Sequence, residues 1–488
     1  MPQFSLLFYL FGFLLTILGA AMLIPLGVSI FDSQEFTWQP FLISSLITLS
    51  IGLSFIFSFY RQKRPELGFR ESFLLTFGSW LVIGVFAALP FYYHRYDILF
   101  IDALFESISA LTTTGMTLYN DVETLPQGIH MWRSLLQWLG GIGIVVMAMS
   151  LLPALKVGGM QLFRSEFSDK SEKILPRLSQ IAFSLIRVYL LLTFACIICY
   201  GLCGMNWMDS ICHGLTTLST GGLSTRNDGI YAFELDDTHG VQIVCAVFMV
   251  LSALTFVNYV RLWRGDIKGF FFNKQMQLFL SILGSMTLLL GIWLTFHEGS
   301  DHTLKNRWIL AFFSSASYLS TGGFSVFTKE SWGSFPYVLF IFAGSIGGST
   351  GSTAGGIKIF RLQVLFTLLK THIKQLRKPH GIYFPTFEGQ KIESPTFFAI
   401  ITFLILYIFT VLVGTAFVSL YNIPLWESLS LSLACISNVG LGFTEPTLLK
   451  EGMITPNGVK AILMLIMVIG RLELMTFYIL LTPGFWKR

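Results

Sequence analysis

Apolar residues run together over most of this chain. A membrane-spanning helix needs about 20 of them, and ten segments qualify: 4–30, 38–60, 72–93, 131–154, 181–204, 241–262, 276–297, 334–369, 396–420 and 461–482. Four shorter apolar stretches, 99–112, 207–219, 307–320 and 424–437, are too short to cross. They read as re-entrant or buried half-helices. Each lies between two full spans.

A repeat coincides with this order. Directly after each short stretch come Leu111-Thr-Thr-Thr-Gly115-Met-Thr117, Leu218-Ser-Thr-Gly-Gly222-Leu-Ser224, Leu319-Ser-Thr-Gly-Gly323-Phe-Ser325 and Ile436-Ser-Asn-Val-Gly440-Leu-Gly442. Thirteen positions before each glycine stand Asp102, Asp209, Leu310 and Glu427; an acid there suits the positive end of a helix dipole, and Leu310 breaks the pattern. The expected architecture is an all-α polytopic membrane protein with one pseudo-fourfold pore. A two-helix N-terminal hairpin (1–65) precedes four helix–pore-loop–helix repeats, 66–170, 171–270, 271–380 and 381–488.

Composition narrows the class. Hydrophobic residues make up 53% and charged residues 12% of 488, about half the ~25% charged residues of soluble domains. That excludes a soluble enzyme, a disordered chain and a disulfide scaffold. The net charge of +5 is too diffuse for a nucleic-acid footprint. Cys196-x-x-Cys199 lies inside an apolar run and reads as helix packing, not as a metal or redox pair. The histidines show no metal-ligand spacing, and His213 reads as packed. The Gly140-Gly141-Ile142-Gly143 cluster suits close helix packing. Clustered spanning acids or histidines, which a membrane enzyme would need, are missing. No cleavable signal peptide is evident.

Ten crossings put both termini on one side. One set of loops carries twenty-two basic residues and the other eight, which places both termini in the cytoplasm. Basic residues concentrate in 155–179 and 357–393, surfaces suited to a regulatory partner or anionic lipid. Eighteen acidic residues fall on the outer side, which suits a cation importer but also ordinary solvation.

Four short loops entering from one side can meet around one axis, each offering a run of carbonyl oxygens. Such rings replace the water shell of a monovalent cation, and glycine lets neighbouring carbonyls turn inward. The eighth span contains Gly344-Ser-Ile-Gly-Gly-Ser-Thr-Gly-Ser-Thr-Ala-Gly-Gly356 before Ile357 and Lys358. It lacks the Lys-Ser or Lys-Thr of a phosphate loop. A linker does not suit membrane depth, and a broken helix that gates the pore is the favoured reading. Arg471 lies mid-span, where a charge costs at least about 2.5–3.5 kcal/mol. It serves either as an ion-pair partner or as a positive barrier at the inner mouth of the pore.

The four loops resemble the filter loops of the Trk/Ktr/HKT superfamily of cation transporters. The leading hairpin, the length and Gly470-Arg471-Leu472-Glu473 are similar to its TrkH branch. The resemblance implies potassium uptake, with K+ bound by Thr113, Thr114 and Gly115; Thr220, Gly221 and Gly222; Thr321, Gly322 and Gly323; and Asn438, Val439 and Gly440. It assigns gating to Gly347, Gly348, Ser349, Thr350, Gly351, Gly355, Gly356, Lys358 and Arg471. It further implies a homodimer in the bacterial inner membrane, regulated by a cytosolic nucleotide-binding ring of the TrkA kind. An alternating-access carrier or symporter coupled to H+ or Na+ is the alternative; inverted halves would mark it, and the period near 100 residues argues against it.

Overall fold

The computed structural model describes residues 4–32, 36–60, 68–94, 98–150, 174–233, 239–296, 303–324, 332–387, 390–392, 394–440 and 455–487. Among them the protein is all-helical apart from a two-residue antiparallel ladder, in which Thr386 faces Lys391 and Phe387 faces Gln390. The expected loop residues Ser325 and Gly442, and most of the basic stretch 155–179, lie outside the described residues.

Six segments are long and apolar enough to cross a bilayer: Phe4–Ile30, Gln39–Ser58, Phe69–His94, Ala182–Leu202, Lys274–Phe296 and Ser394–Ser419. Their outer faces present exposed apolar side chains such as Phe13, Leu46, Phe194, Leu288 and Ile405. That is the pattern of a multi-pass membrane protein, whose lipid-facing surface has no water to avoid. The first two helices form a close hairpin through small residues. A Cβ on Gly12 would lie 2.7 Å from the Gly52 carbonyl oxygen, and one on Gly52 would lie 2.8 Å from Thr16 Oγ1. Ser45 Oγ donates to the Gly19 carbonyl at 2.8 Å across the same interface.

The other four expected spans differ from simple rods. Gln127–Ser150 is one helix but carries the buried Arg133. The run 334–369 breaks after Ile346, as its glycines predict, and resumes at Ile359. The runs 241–262 and 461–482 break as well, where continuous spans were expected. Gly240–Ala253 and Phe256–Trp263 meet at 89°. Asn457–Arg471 is separated from Met475–Leu480 by a turn in which Glu473 and Leu474 take positive φ, 61° and 37°. Neither break contains glycine or proline.

A broken helix at membrane depth exposes N–H and C=O groups that lipid cannot satisfy. The Gly-rich segment 347–358 supplies the partners for the first break. Ser349 N–H donates to the Ala253 carbonyl at 2.9 Å, and Phe256 N–H donates to the Gly351 carbonyl at 3.1 Å. Two breaks in different quarters of the chain therefore complete each other.

The four half-helices form at Phe100–Leu111, Trp207–Leu218, Leu304–Leu319 and Leu425–Ser437. Asn206 caps the second by accepting from Asp209 N–H. The third is longer and begins six residues before Leu310, whereas Asp102, Asp209 and Glu427 each sit two residues past their helix start. Position 310 thus lies in the second turn and is buried in the core, beyond the reach of the dipole argument. The segments after the half-helices are extended loops; no strand forms there among the described residues.

Hairpin packing yields a first expectation. Gly52→Leu should cost about 1–3 kcal/mol by overpacking, seen as a lower thermal midpoint of the detergent-solubilised protein. An unchanged midpoint would show that the two helices separate without penalty.

Candidate functional site

Each half-helix ends in the same way. Thr113, Thr220, Thr321 and Asn438 take left-handed φ values of 54°, 53°, 56° and 54°. Their N–H groups donate to Ala110, Thr217, Tyr318 and Cys435 carbonyls, three residues back, at 3.0, 3.1, 3.1 and 3.3 Å. The next residue in each copy donates five residues back: Thr114 to Ser109, Gly221 to Thr216, Gly322 to Ser317 and Val439 to Ala434, at 2.8–3.0 Å. This is a Schellman-type cap, which usually places glycine or asparagine at the left-handed residue. Three copies use threonine there, at roughly 1–2 kcal/mol each. The fourth, most divergent in sequence, carries the residue best suited to the conformation.

Two residues further on, Gly115, Gly222, Gly323 and Gly440 also have positive φ, between 67° and 84°. A Cβ on Gly115 would overlap the Gly221 carbonyl oxygen; on Gly222, that of Gly322; on Gly323, that of Val439; on Gly440, that of Thr114. The sequence of contacts runs from loop one to two, three, four and back to one. Four loops from separate quarters therefore close a single ring, with each glycine seated against the carbonyl that precedes the next glycine. All twelve residues expected at the filter are brought together there.

The segments leaving the ring are tied back to their own half-helices. Ser109 Oγ donates to the Met116 carbonyl at 2.5 Å and Ser317 Oγ to the Phe324 carbonyl at 2.7 Å. Nine residues before the ring glycine, Glu106 accepts from Thr117 Oγ1 at 2.8 Å, and His213 Nε2 bonds Ser224 Oγ at 3.0 Å. His213 is packed, as expected, but also braces its loop. A cavity of about 160 Å³ opens beyond the ring, lined by Gly115, Gly222 and Gly323 with Asn227 and Arg226. Asp209 neutralises Arg226 at 3.0 Å.

The Gly-rich segment packs on the opposite side. Thr353 Oγ1 donates to the Leu218 and Ser252 carbonyls at 3.0 and 3.2 Å. Gly355 N–H donates to Thr321 Oγ1 at 2.7 Å, and a Cβ on Gly355 would overlap the Ser437 carbonyl oxygen. Arg471 Nη1 donates to the Thr353 carbonyl at 3.0 Å and Nη2 to the Gly140 carbonyl at 3.5 Å. The segment thereby touches the ends of half-helices two, three and four. Arg471 links it to the Gly140 backbone, which packs against Leu111 of the first. Gly347, Gly348, Ser349, Thr350, Gly351, Gly355 and Gly356 all lie in this segment, and Lys358 is buried at its end with φ 73°.

Several charges read from the sequence as loop charges are buried and paired. Arg361 is fully buried, stacked 3.7 Å from the Phe403 ring centroid and paired with Glu473. Lys460 pairs with Asp102. Arg133 faces Glu106 at 3.6 Å, both buried. Arg471 has carbonyl oxygens as its hydrogen-bond acceptors, while the nearby carboxylate of Glu473 serves Arg361. Of the glycine cluster, Gly140 and Gly141 pack tightly, and Gly143 faces open space.

These features define a polytopic membrane protein whose four loop-bearing quarters surround one ring of backbone carbonyls. The TrkH family, described as a cation transport protein, matches residues 38–295 and 274–485. The chain is 33% identical to the Trk system potassium uptake protein TrkI of Halomonas elongata, over 97% of this chain and 95% of that one. It is 33% identical to the Trk system potassium uptake protein TrkG of Escherichia coli strain K12, over 98% and 97%. The crystal structure of the potassium transporter TrkH from Vibrio parahaemolyticus superposes with a TM-score of 0.90 at 30% identity, covering 99% of this chain and 100% of that one. The chain belongs to the TrkH family.

The ring geometry separates glycines that need their conformation from glycines that do not. Gly323→Ala, which drives a methyl group into the Val439 carbonyl, should lower the thermal midpoint in detergent by the equivalent of about 1–3 kcal/mol. Gly143→Ala, inside the helix Gln127–Ser150 with nothing within 4 Å, should leave it unchanged or raise it, by the equivalent of up to about 1 kcal/mol. Equal behaviour of the two variants would contradict the closed ring.

Proposed function

We propose that this protein carries potassium into the cell through the carbonyl ring, and that the Gly-rich segment with Arg471 gates the passage. The observation that carries the reading is the cyclic contact of Gly115, Gly222, Gly323 and Gly440 with the carbonyls of the following loops. The names of the relatives, potassium uptake proteins, agree with it. K+ is the substrate and sheds its water against main-chain oxygens of residues 113–115, 220–222, 321–323 and 438–440. The membrane potential contributes about 2.3 kcal/mol per 100 mV to each inward charge. Rotation of the Gly-rich segment away from Thr321 and Leu218 opens the path, and the Arg471 guanidinium raises the barrier while the segment is in place.

In this reading the protein sits in the bacterial inner membrane with both termini in the cytoplasm and works as a homodimer. The helix Ile359–Arg377 begins where the gating segment ends, and exposes Lys370, Lys374 and Arg377 beside Phe366, Ile373 and Leu376. It is the natural lever for a nucleotide-binding regulatory ring in the cytosol. Coupled carriage with H+ or Na+ is less well supported, because the buried carboxylates Glu106 and Glu473 already face Arg133 and Arg361.

Rubidium uptake into potassium-depleted vesicles, with ring protein and nucleotide added, tests the assignment; no uptake would favour a carrier of another kind. Arg471→Ala and Arg471→Gln should both raise flux. A barrier lowered by about 1.4 kcal/mol gives about a tenfold increase. Reduced flux from correctly inserted protein would instead make Arg471 a structural tether.

A further inference from the structure

The ring is not evenly supported. Gln137, on the helix Gln127–Ser150 of the first quarter, is fully buried. Its side chain reaches the backbone of the second loop. Nε2 donates to the Gly221 carbonyl at 2.7 Å, and Oε1 accepts from Leu223 N–H at 3.4 Å. One amide thus clamps the main chain on both sides of Gly222. Gly221 is also the residue whose carbonyl meets Gly115, so the clamped oxygen belongs to the ring.

The corresponding place beside the third loop is filled differently. A Cβ on Gly221 would meet the Gln137 amide, and a Cβ on Gly322 would meet the Met249 sulfur. Met249 is buried and offers no hydrogen-bond donor. Among the described residues, no side-chain donor bonds the ring carbonyls of Thr114, Gly322 or Val439. Among those residues, one of four equivalent oxygens alone carries an amide hydrogen bond.

Such a bond acts on ion choice in two ways with the same sign. The partly positive amide hydrogen offsets part of the field that oxygen presents to a cation. It also holds the oxygen in place, so that it cannot close onto a smaller ion. Ring selectivity depends on cavity size and on the field strength of the coordinating dipoles, and both changes favour the larger alkali ion. We propose that Gln137 is a specificity-determining positioning residue, which raises discrimination of K+ against Na+ by fixing the Gly221 carbonyl. The inference rests on the ring being the ion path.

The test measures the K+/Na+ permeability ratio of reconstituted wild type, Gln137→Met and Met249→Gln. Gln137→Met copies the neighbour's side chain at similar length and should lower the ratio by about fivefold, the equivalent of one net hydrogen bond. Met249→Gln leaves Gln137 in place, adds an amide beside Gly322 and should raise the ratio. It decides the matter alone if Gln137→Met does not insert. A wild-type protein that passes neither K+ nor Rb+ would refute the ion path itself. Wild-type passage with an unchanged ratio in an inserted variant would refute the role of Gln137 and leave the ion path standing. A packing defect would change total flux without moving the ratio.

Discussion

Everything central in this structure depends on carbonyl oxygens approaching glycines that have no side chain to block them. At membrane depth the main chain has no water to bond. A loop there must lean on protein or line a wet passage. The four loops do both. Their inner ends close Schellman-type caps on their own half-helices, and their glycines seat against the next loop. Closing the cycle needs all four contacts, so each glycine is constrained by another quarter of the chain, and Gly440 by the loop at Thr114 at the far end of the sequence.

The same requirement explains why the helices around the ring are broken. The Gly-rich segment cannot remain helical, since each glycine costs about 1 kcal/mol relative to alanine. Its free N–H and C=O groups find partners in the break between Gly240–Ala253 and Phe256–Trp263. The third break, at 472–474, places Glu473 against Arg361 and leaves Arg471 to bond carbonyls. The Gly-rich segment is held in place by the number and strength of these backbone bonds. Arg471 bonds the segment at Thr353 at 3.0 Å, and its second contact, to Gly140 at 3.5 Å, is a weak link by hydrogen-bond geometry.

The half-helices and the ring were legible because apolar length and a four-fold glycine match carry them without help from tertiary contacts. The breaks at Leu254–Thr255 and Leu472–Leu474 were not, since neither holds a residue that interrupts a helix by itself. They exist because distant segments bond the freed backbone. Arg133, Arg361 and Lys460 were read as loop charges because each lies near an end of an apolar run, where sequence cannot tell a solvated cation from one facing a buried carboxylate. Gln137 gave no signal either: a single amide in a spanning helix acquires meaning only when the loop it touches is known.

Four-fold likeness of backbone with unlike side chains is what one polypeptide can achieve and a homotetramer cannot. The left-handed caps at 113, 220, 321 and 438 agree within three degrees in φ, yet the residues behind them are Glu106, His213, Ser314 and Leu431 at the same offset. Conformation is preserved because the ring must close. Support is free to diverge because different neighbours can hold one backbone. Each quarter can therefore support the ring in its own way. The first lends an amide to the second loop, and the second receives the Gly-rich segment. The third supplies that segment, and the fourth supplies Arg471, which bonds it. A change behind one loop can then alter that loop's support while the backbone contacts that close the ring stay the same.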